Sequence, residues 1–231
     1  MEKYDTGTVR IHPMEALYGR LASLFGRRGV TSYVAYELAV YYYVLLSWGK
    51  HSFERDHAKS FTVHKESGWL TMVLFIIKLL VLEGLIVHFF VAKWSSVLAW
   101  ILSIGNVYMI IWLISDYRAM KLNPIGVTAQ GIWIRLGNQL RVELTYDQIE
   151  TIEMVNNVEL TGEEMKHSFV PIGPSTNIHI RLKEATKIGV MLGANQTVTD
   201  IYFTLDEPRV FVEECRTHLG SLQPGESGAV S

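Results

Sequence analysis

The stretch Leu79–Ser95, LLVLEGLIVHFFVAKWS, places a carboxylate (Glu83) and an imidazole (His88) inside an apolar run. Ionisable groups within a bilayer are costly and mark proton relays, ion paths or ligand sites. Lys78 on the same run and Asn106 on the next one complete the set of intramembrane polar candidates. Five residues turn about 140° around a helix, so Glu83 and His88 do not share a face. They cannot form the i, i+4 ligand pair of a zinc helix. Folding the chain back at Lys93–Ser95 brings Glu83 level with Gly105 and Asn106, and His88 level with Trp100 and Ile101 near the outer end. Three roles follow for this set. One is an interhelical Glu83–Asn106 hydrogen bond worth on the order of 1 kcal/mol. The others are a ligand or proton-handling site and an oligomer contact.

Other chemistry-bearing residues form weaker patterns. The loop KHSFERDHAKSFTVHKE holds His51, His57 and His64 with Glu54, Asp56 and Glu66, side chains able to bind a metal. Histidine spacings of six and seven residues match no recognised ligand pattern, so a solvated basic loop is the simpler reading. GVMLGAN, residues 189–195, lacks the Gly-Lys-Ser/Thr element of a phosphate loop. There is no G-x-S-x-G nucleophile setting. Cys215, the one cysteine, excludes an intrachain disulfide and a cysteine-based zinc cluster, and fits a reducing compartment. No cofactor is expected, and nothing here reads as an enzyme.

These residues sit on a chain of unequal halves. Trp69–Val91 is interrupted only by Lys78, Glu83 and His88. At 1.5 Å per residue it reaches roughly 35 Å, enough to cross a hydrocarbon core of about 30 Å. After a short link, Val97–Ile114 gives a second span, and the pair reads as a tight antiparallel hairpin. Trp69, Trp94, Trp112 and Tyr117 lie near its ends, with Arg118, as expected of membrane-interface residues. A third stretch, Val30–Trp48, is long enough to span but holds Glu37 and five tyrosines. Arg20, Arg27 and Arg28 precede it; Lys50, Arg55, Lys59 and Lys65 follow it; Lys121 follows the hairpin. Two spans put all these clusters on the cytoplasmic side, whereas three would expose one outside, against the positive-inside rule. Residues 30–48 are therefore expected at the cytoplasmic interface, after an amphipathic segment containing Met14, Leu17, Leu21 and Phe25. The opening MEKYDTGTVRIHP has no apolar core and reads against a cleaved secretory signal.

Beyond Pro124 the periodicity changes from helical to two. GIWIRLG and QLRVELTY face each other across a Gly137-Asn138 turn. IETIEMV, FVPI, TNIHIRLKE, KIGVMLG and DIYFTL follow as further strands. In DEPRVFVEECRTHL, Asp206 can cap a helix and Pro208 suits its first turn. The fold class is thus an α+β membrane protein. It divides into a helical region and basic loop (1–66), a hairpin (67–118; spans about 69–91 and 97–114), a strand-rich domain (122–220) and a disordered tail (221–231). Residues 121–231 carry 9 Lys and Arg against 14 Asp and Glu, while residues 1–120 carry 12 against 9. The acidic second half disfavours nucleic acid. It also weakens any phosphoinositide site there, despite Arg135, Arg141 and Lys187.

The order of span, R-A-x-x-x-x-P (Arg118, Ala119, Pro124), LTYDQIETIE (Leu144–Glu153) and L-D-E-P with Phe211 resembles bacterial membrane proteins that carry a PH-like domain after a transmembrane hairpin. YYYVLLSW, HKESGW and WSSVLAWIL look like the membrane half of an uncharacterised group with that layout. The resemblance covers roughly residues 36–219. It implies a β-barrel or sandwich of about seven strands capped by a C-terminal helix, serving binding or oligomerisation. The expected protein is a membrane-anchored scaffold of the inner (plasma) membrane with both termini cytoplasmic. Its partners would be the lipid bilayer and a protein partner or a homo-oligomer. The alternative is a transporter component or membrane enzyme centred on Glu83, Asn106 and His88.

Overall fold

The computed structural model describes residues 29–49, 58–63, 68–156, 158, 160–173 and 175–221. Helix α1 (Gly29–Tyr41) runs into a π-helical turn (Tyr42–Leu46), and β1 (Lys59–Phe61) follows. Then come α2 (Trp69–Ala92) and α3 (Ser96–Leu122). The remainder is β2 (Ile125–Val127), β3 (Gly131–Leu136), β4 (Leu140–Thr145), β5 (Ile149–Met154), α4 (Gly162–His167), β6 (Ser168–Phe169), β7 (Ile178–Val190), β8 (Asn195–Phe203) and α5 (Pro208–Ser221).

Helices α2 and α3 form the expected hairpin, closed by a turn in which Ser95 Oγ accepts the Leu98 N–H at 3.3 Å. Both are long and apolar enough to cross a membrane, and only 6% and 17% of their most apolar windows are buried within the protein. Burial in a soluble core therefore does not account for their apolarity. Phe75, Leu85, Phe89, Ile101 and Ile104 all face outward, a continuous apolar surface of the kind that needs an apolar solvent. Of the aromatic residues expected at the membrane interface, Trp94 is exposed at the hairpin tip, while Trp69 and Trp112 are buried. Protein covers those two rings: Trp112 donates its indole N–H to the Tyr36 hydroxyl of α1. Tyr117 is half-buried.

The strands form one open mixed sheet in the order β1-β2-β3-β4-β7-β8-β6, with β5 paired to β7. All pairings are antiparallel except β6 with β8. The expected barrel is not found. β6 is two residues long and offers no length on which the sheet could close onto β1. TNIHIRLKE and KIGVMLG, expected as separate strands, are one 13-residue strand, β7. Its first half pairs with β5 and its end with β4, and β8 lies along its other edge with an irregularity between Arg181 and Thr186. β1 comes from residues expected in the basic loop. It pairs with β2 and is held from outside by the Lys59–Glu214 ion pair at 2.7 Å.

Alternation decides the two faces of the sheet. Ile132, Ile134 and Leu136 stand opposite Leu144, Val142 and Leu140 and are buried in the core. Helix α5 seals this face through Phe211, Val212 and Cys215, with Phe211 edge-on to Phe61 at 5.2 Å. Burial pushes the Cys215 thiol up to about 12, so it packs as a small apolar side chain.

The last turns of α3 are built into the sheet domain. Asp116, wholly buried, accepts the Asn138 N–H at 2.8 Å with Oδ1 and the Gln139 side-chain amide at 3.0 Å with Oδ2. Ser115 Oγ accepts from the Asn138 side chain at 2.7 Å. Arg118 reaches the end of α1, donating to the Ser47 carbonyl at 2.6 Å and lying 4.7 Å from the Trp48 ring centre. A cation suits that position because the last carbonyls of a helix lack intrahelical partners. Asn123 donates to the Tyr43 hydroxyl at 3.1 Å, and Ala119 is fully buried in the same contact region. Arg118, Ala119 and Asn123 thus clamp α1 against the end of α3.

Candidate functional site

The hairpin distributes its polar groups differently from the expected Glu83–Asn106 bond. Asn106 donates to the Leu80 carbonyl at 3.1 Å, and Gly84 rather than Glu83 lies against it. A methyl group built on Gly84 would lie 3.0 Å from the Asn106 amide nitrogen, so the glycine permits the close approach. His88, level with Trp100 as expected, packs edge-on to that ring at 5.3 Å and bonds Ser103 Oγ at 2.7 Å. Glu83 and Lys78 are both exposed on the outer surface of α2. The polar link between the spans is therefore His88–Ser103 together with Asn106–Leu80. His88→Ala is expected to cost about 0.6–1.7 kcal/mol of hairpin stability, and Glu83→Ala close to nothing. Unfolding both variants in mixed micelles checks the order; a larger loss for Glu83→Ala would overturn it.

A second polar cluster crosses β5, β7 and β8. His179 is buried, with Nδ1 3.1 Å from Glu153 Oε1 and Nε2 2.7 Å from Asp200 Oδ1, and its ring stacks on Tyr202 at 4.4 Å. Burial would push the Asp200 carboxyl up, but hydrogen bonds from Thr199, His179 and Arg181 outweigh it and hold the group below its ordinary value. Both imidazole nitrogens lie within hydrogen-bond distance of a carboxylate. The cluster ties three strands together.

A concave feature lies between α1 and the sheet, lined by residues of α1, β3, β4 and β7. It is a cavity of about 460 Å³, within the roughly 300–1,000 Å³ range of small-molecule sites. Ala35 and Ala39 of α1 form one wall, and their small side chains leave it open. Arg135 of β3, Arg141 and Glu143 of β4 and Lys187 of β7 form the other. The three cations are visible in the sequence, but the negative charge of their region hides their convergence; the structure gathers them around one space. The β7–β8 turn (Met191–Gly193) closes one end by packing against the first turns of α1.

His51, His57 and His64 lie outside the described residues. Among the described residues, no group of three or more His, Cys, Asp and Glu side chains is placed to hold a metal ion. No protein-family model, curated protein or solved structure matches the chain.

Proposed function

We propose that this chain is a membrane-anchored binding module of the bacterial inner membrane. In this reading the hairpin spans the bilayer, a PH-like domain stands on the cytoplasmic side, and the module associates with another copy of itself or with a protein partner. The element order, strands followed by one helix that seals the sheet, supports the PH-like reading. The open sheet is its departure from that family's barrel. Basic residues at the sheet end of the hairpin support the cytoplasmic placement.

The observation that carries association is the outward placement of Glu83 and Lys78. Charged side chains within spans almost always face a bundle interior or a polar cavity, and here they face away from the only helix paired with α2 in the hairpin. A second copy supplies the missing neighbour. The alternative site centred on Glu83, Asn106 and His88 has less behind it, because Asn106 and His88 are bonded within the hairpin while Glu83 points outward.

The test uses the full chain, since β1 and α1 are both packed on the sheet domain. Two differently tagged copies are co-expressed and purified from membranes. The second tag is expected to co-purify, and Glu83→Leu to reduce its yield about fivefold, as loss of ~1 kcal/mol would. A wild-type chain that brings down neither a second copy nor a reproducible partner would end this reading.

A further inference from the structure

We propose that the cavity between α1 and the sheet binds a phosphate-bearing anion, with Arg135 as its buried anchor and Arg141 and Lys187 at its mouth. Arg135 is only 7% exposed, yet its Nη1 is buried with no hydrogen-bond partner. A guanidinium withdrawn from water with a donor unmet carries a desolvation cost; Arg135 lines the cavity, and turning Nη1 toward an anion held there would relieve that cost. The Tyr43 ring centre lies 5.6 Å from its guanidinium carbon.

The strand register strengthens the assignment. Arg135 pairs directly with Arg141 across β3 and β4, and like charges directly opposite one another destabilise a sheet. Arg141 in turn stands opposite Gly189, which has no side chain to fill the space. Lys187 lies two residues along β7 and so on the same face. Against these three cations the wall offers one carboxylate, Glu143. A net charge near +2 matches a phosphate monoester, which carries about −1.5 to −2 at neutral pH, better than a single carboxylate. Guanidinium forks suit phosphate oxygens geometrically. The cavity exceeds a bare phosphate, leaving room for an organic remainder. The phosphate could belong to a soluble metabolite or to a lipid headgroup, and the chemistry at Arg135 is the same for both.

The site is independent of the association reading, so a failed co-purification leaves it standing. Full-length protein in detergent is titrated with inorganic phosphate against chloride at equal ionic strength, following its melting temperature. In parallel, native mass spectrometry counts bound phosphatidic acid against phosphatidylcholine. Wild type is expected to bind at least one phosphate probe in preference to its control. Stabilisation by inorganic phosphate marks a soluble ligand; selective retention of phosphatidic acid alone marks a headgroup. Lys187→Gln, at an exposed position, is expected to melt normally in chloride and to weaken binding about tenfold. Arg135→Met, which keeps the packing over Tyr43, is expected to abolish it. The proposal falls if neither probe is preferred by wild type, or if Lys187→Gln binds as wild type does.

Discussion

Gly137→Ala is expected to separate the hairpin from the sheet domain and to lower the stability of the chain by about 3–5 kcal/mol. Gly137 has a φ of +53°, a backbone conformation that costs an L side chain roughly 1 kcal/mol. The larger effect is steric. A methyl group there would sit on Asp116 Oδ1, far inside contact distance, and 2.9 Å from the Asp116 carbonyl oxygen. Asp116 has nowhere to go, because both its oxygens accept hydrogen bonds in a site closed to water. Moving it strands the Asn138 N–H and a Gln139 amide hydrogen, each a loss of about 1–3 kcal/mol when buried. Gln139 cannot turn to compensate, since its Oε1 already accepts the Ile172 N–H at 2.7 Å. The same geometry makes Asp116→Asn harmful: two oxygens must accept here, and an amide offers one. Asn138→Ala, which keeps its backbone N–H, is the mild control. Melting of the purified chain, followed by its elution as a single species, measures all three. A Gly137→Ala protein that melts within about 2 °C of wild type would refute the account, since the predicted loss corresponds to a shift several times larger.

How much of this was legible in the sequence depends on the range over which each feature is determined. The two long helices are fixed by length and apolarity within one segment, and both stand where Trp69–Val91 and Val97–Ile114 placed them. The β3–β4 hairpin is fixed by two alternating runs and a Gly-Asn turn. β1 is only Lys59–Phe61, too short for any period to show. It exists because Phe61 packs on Phe211 and Lys59 meets Glu214, contacts about 150 residues away along the chain. The two halves of β7 read as separate strands in sequence because Lys183 and Glu184 break the apolar alternation where its pairing with β8 shifts. Openness of the sheet is a property of its edges, which strand periodicity does not encode. For the spans, rise along the helix put Asn106 at the depth of Glu83. The rotation that brings Gly84 to face it instead depends on how the helices pack. At the cavity, the negative sum over residues 121–231 concealed a positive site. Acids such as Glu163, Glu164 and Glu213 lie on α4 and α5, away from the face where Arg135, Arg141 and Lys187 converge.

Gly193→Ala is expected to release α1 while leaving the sheet folded, a different failure from that at Gly137. Gly193 has a φ of +67° in the β7–β8 turn. A methyl group there would lie on the Ser32 carbonyl oxygen, 2.5 Å from its carbonyl carbon and 3.0 Å from the Tyr33 nitrogen. These are backbone atoms of α1, so no change of rotamer relieves the overlap; the helix or the turn must move. The far end of α1 is held by Arg118 at Ser47 and by Asn123 at Tyr43. Displacement therefore opens the Ser32 end, breaks the Trp112–Tyr36 hydrogen bond and exposes Arg135 to water. Strain at a positive φ and the lost bond together amount to about 2–4 kcal/mol, and they fall on the docking of α1 rather than on the packing of Phe211, Val212 and Cys215 against the sheet. Hydrogen exchange separates the two. Amides of residues 31–41 should lose about 30-fold or more in protection, as a loss of 2 kcal/mol or more in local opening requires, while those of β3, β4 and the core half of β7 stay within threefold of wild type. Uniform loss across helix and sheet would show that α1 is part of the cooperative core. Unchanged protection in α1 would show that the turn can shift without it. Either result would replace the picture of α1 as a separately docked wall of the cavity.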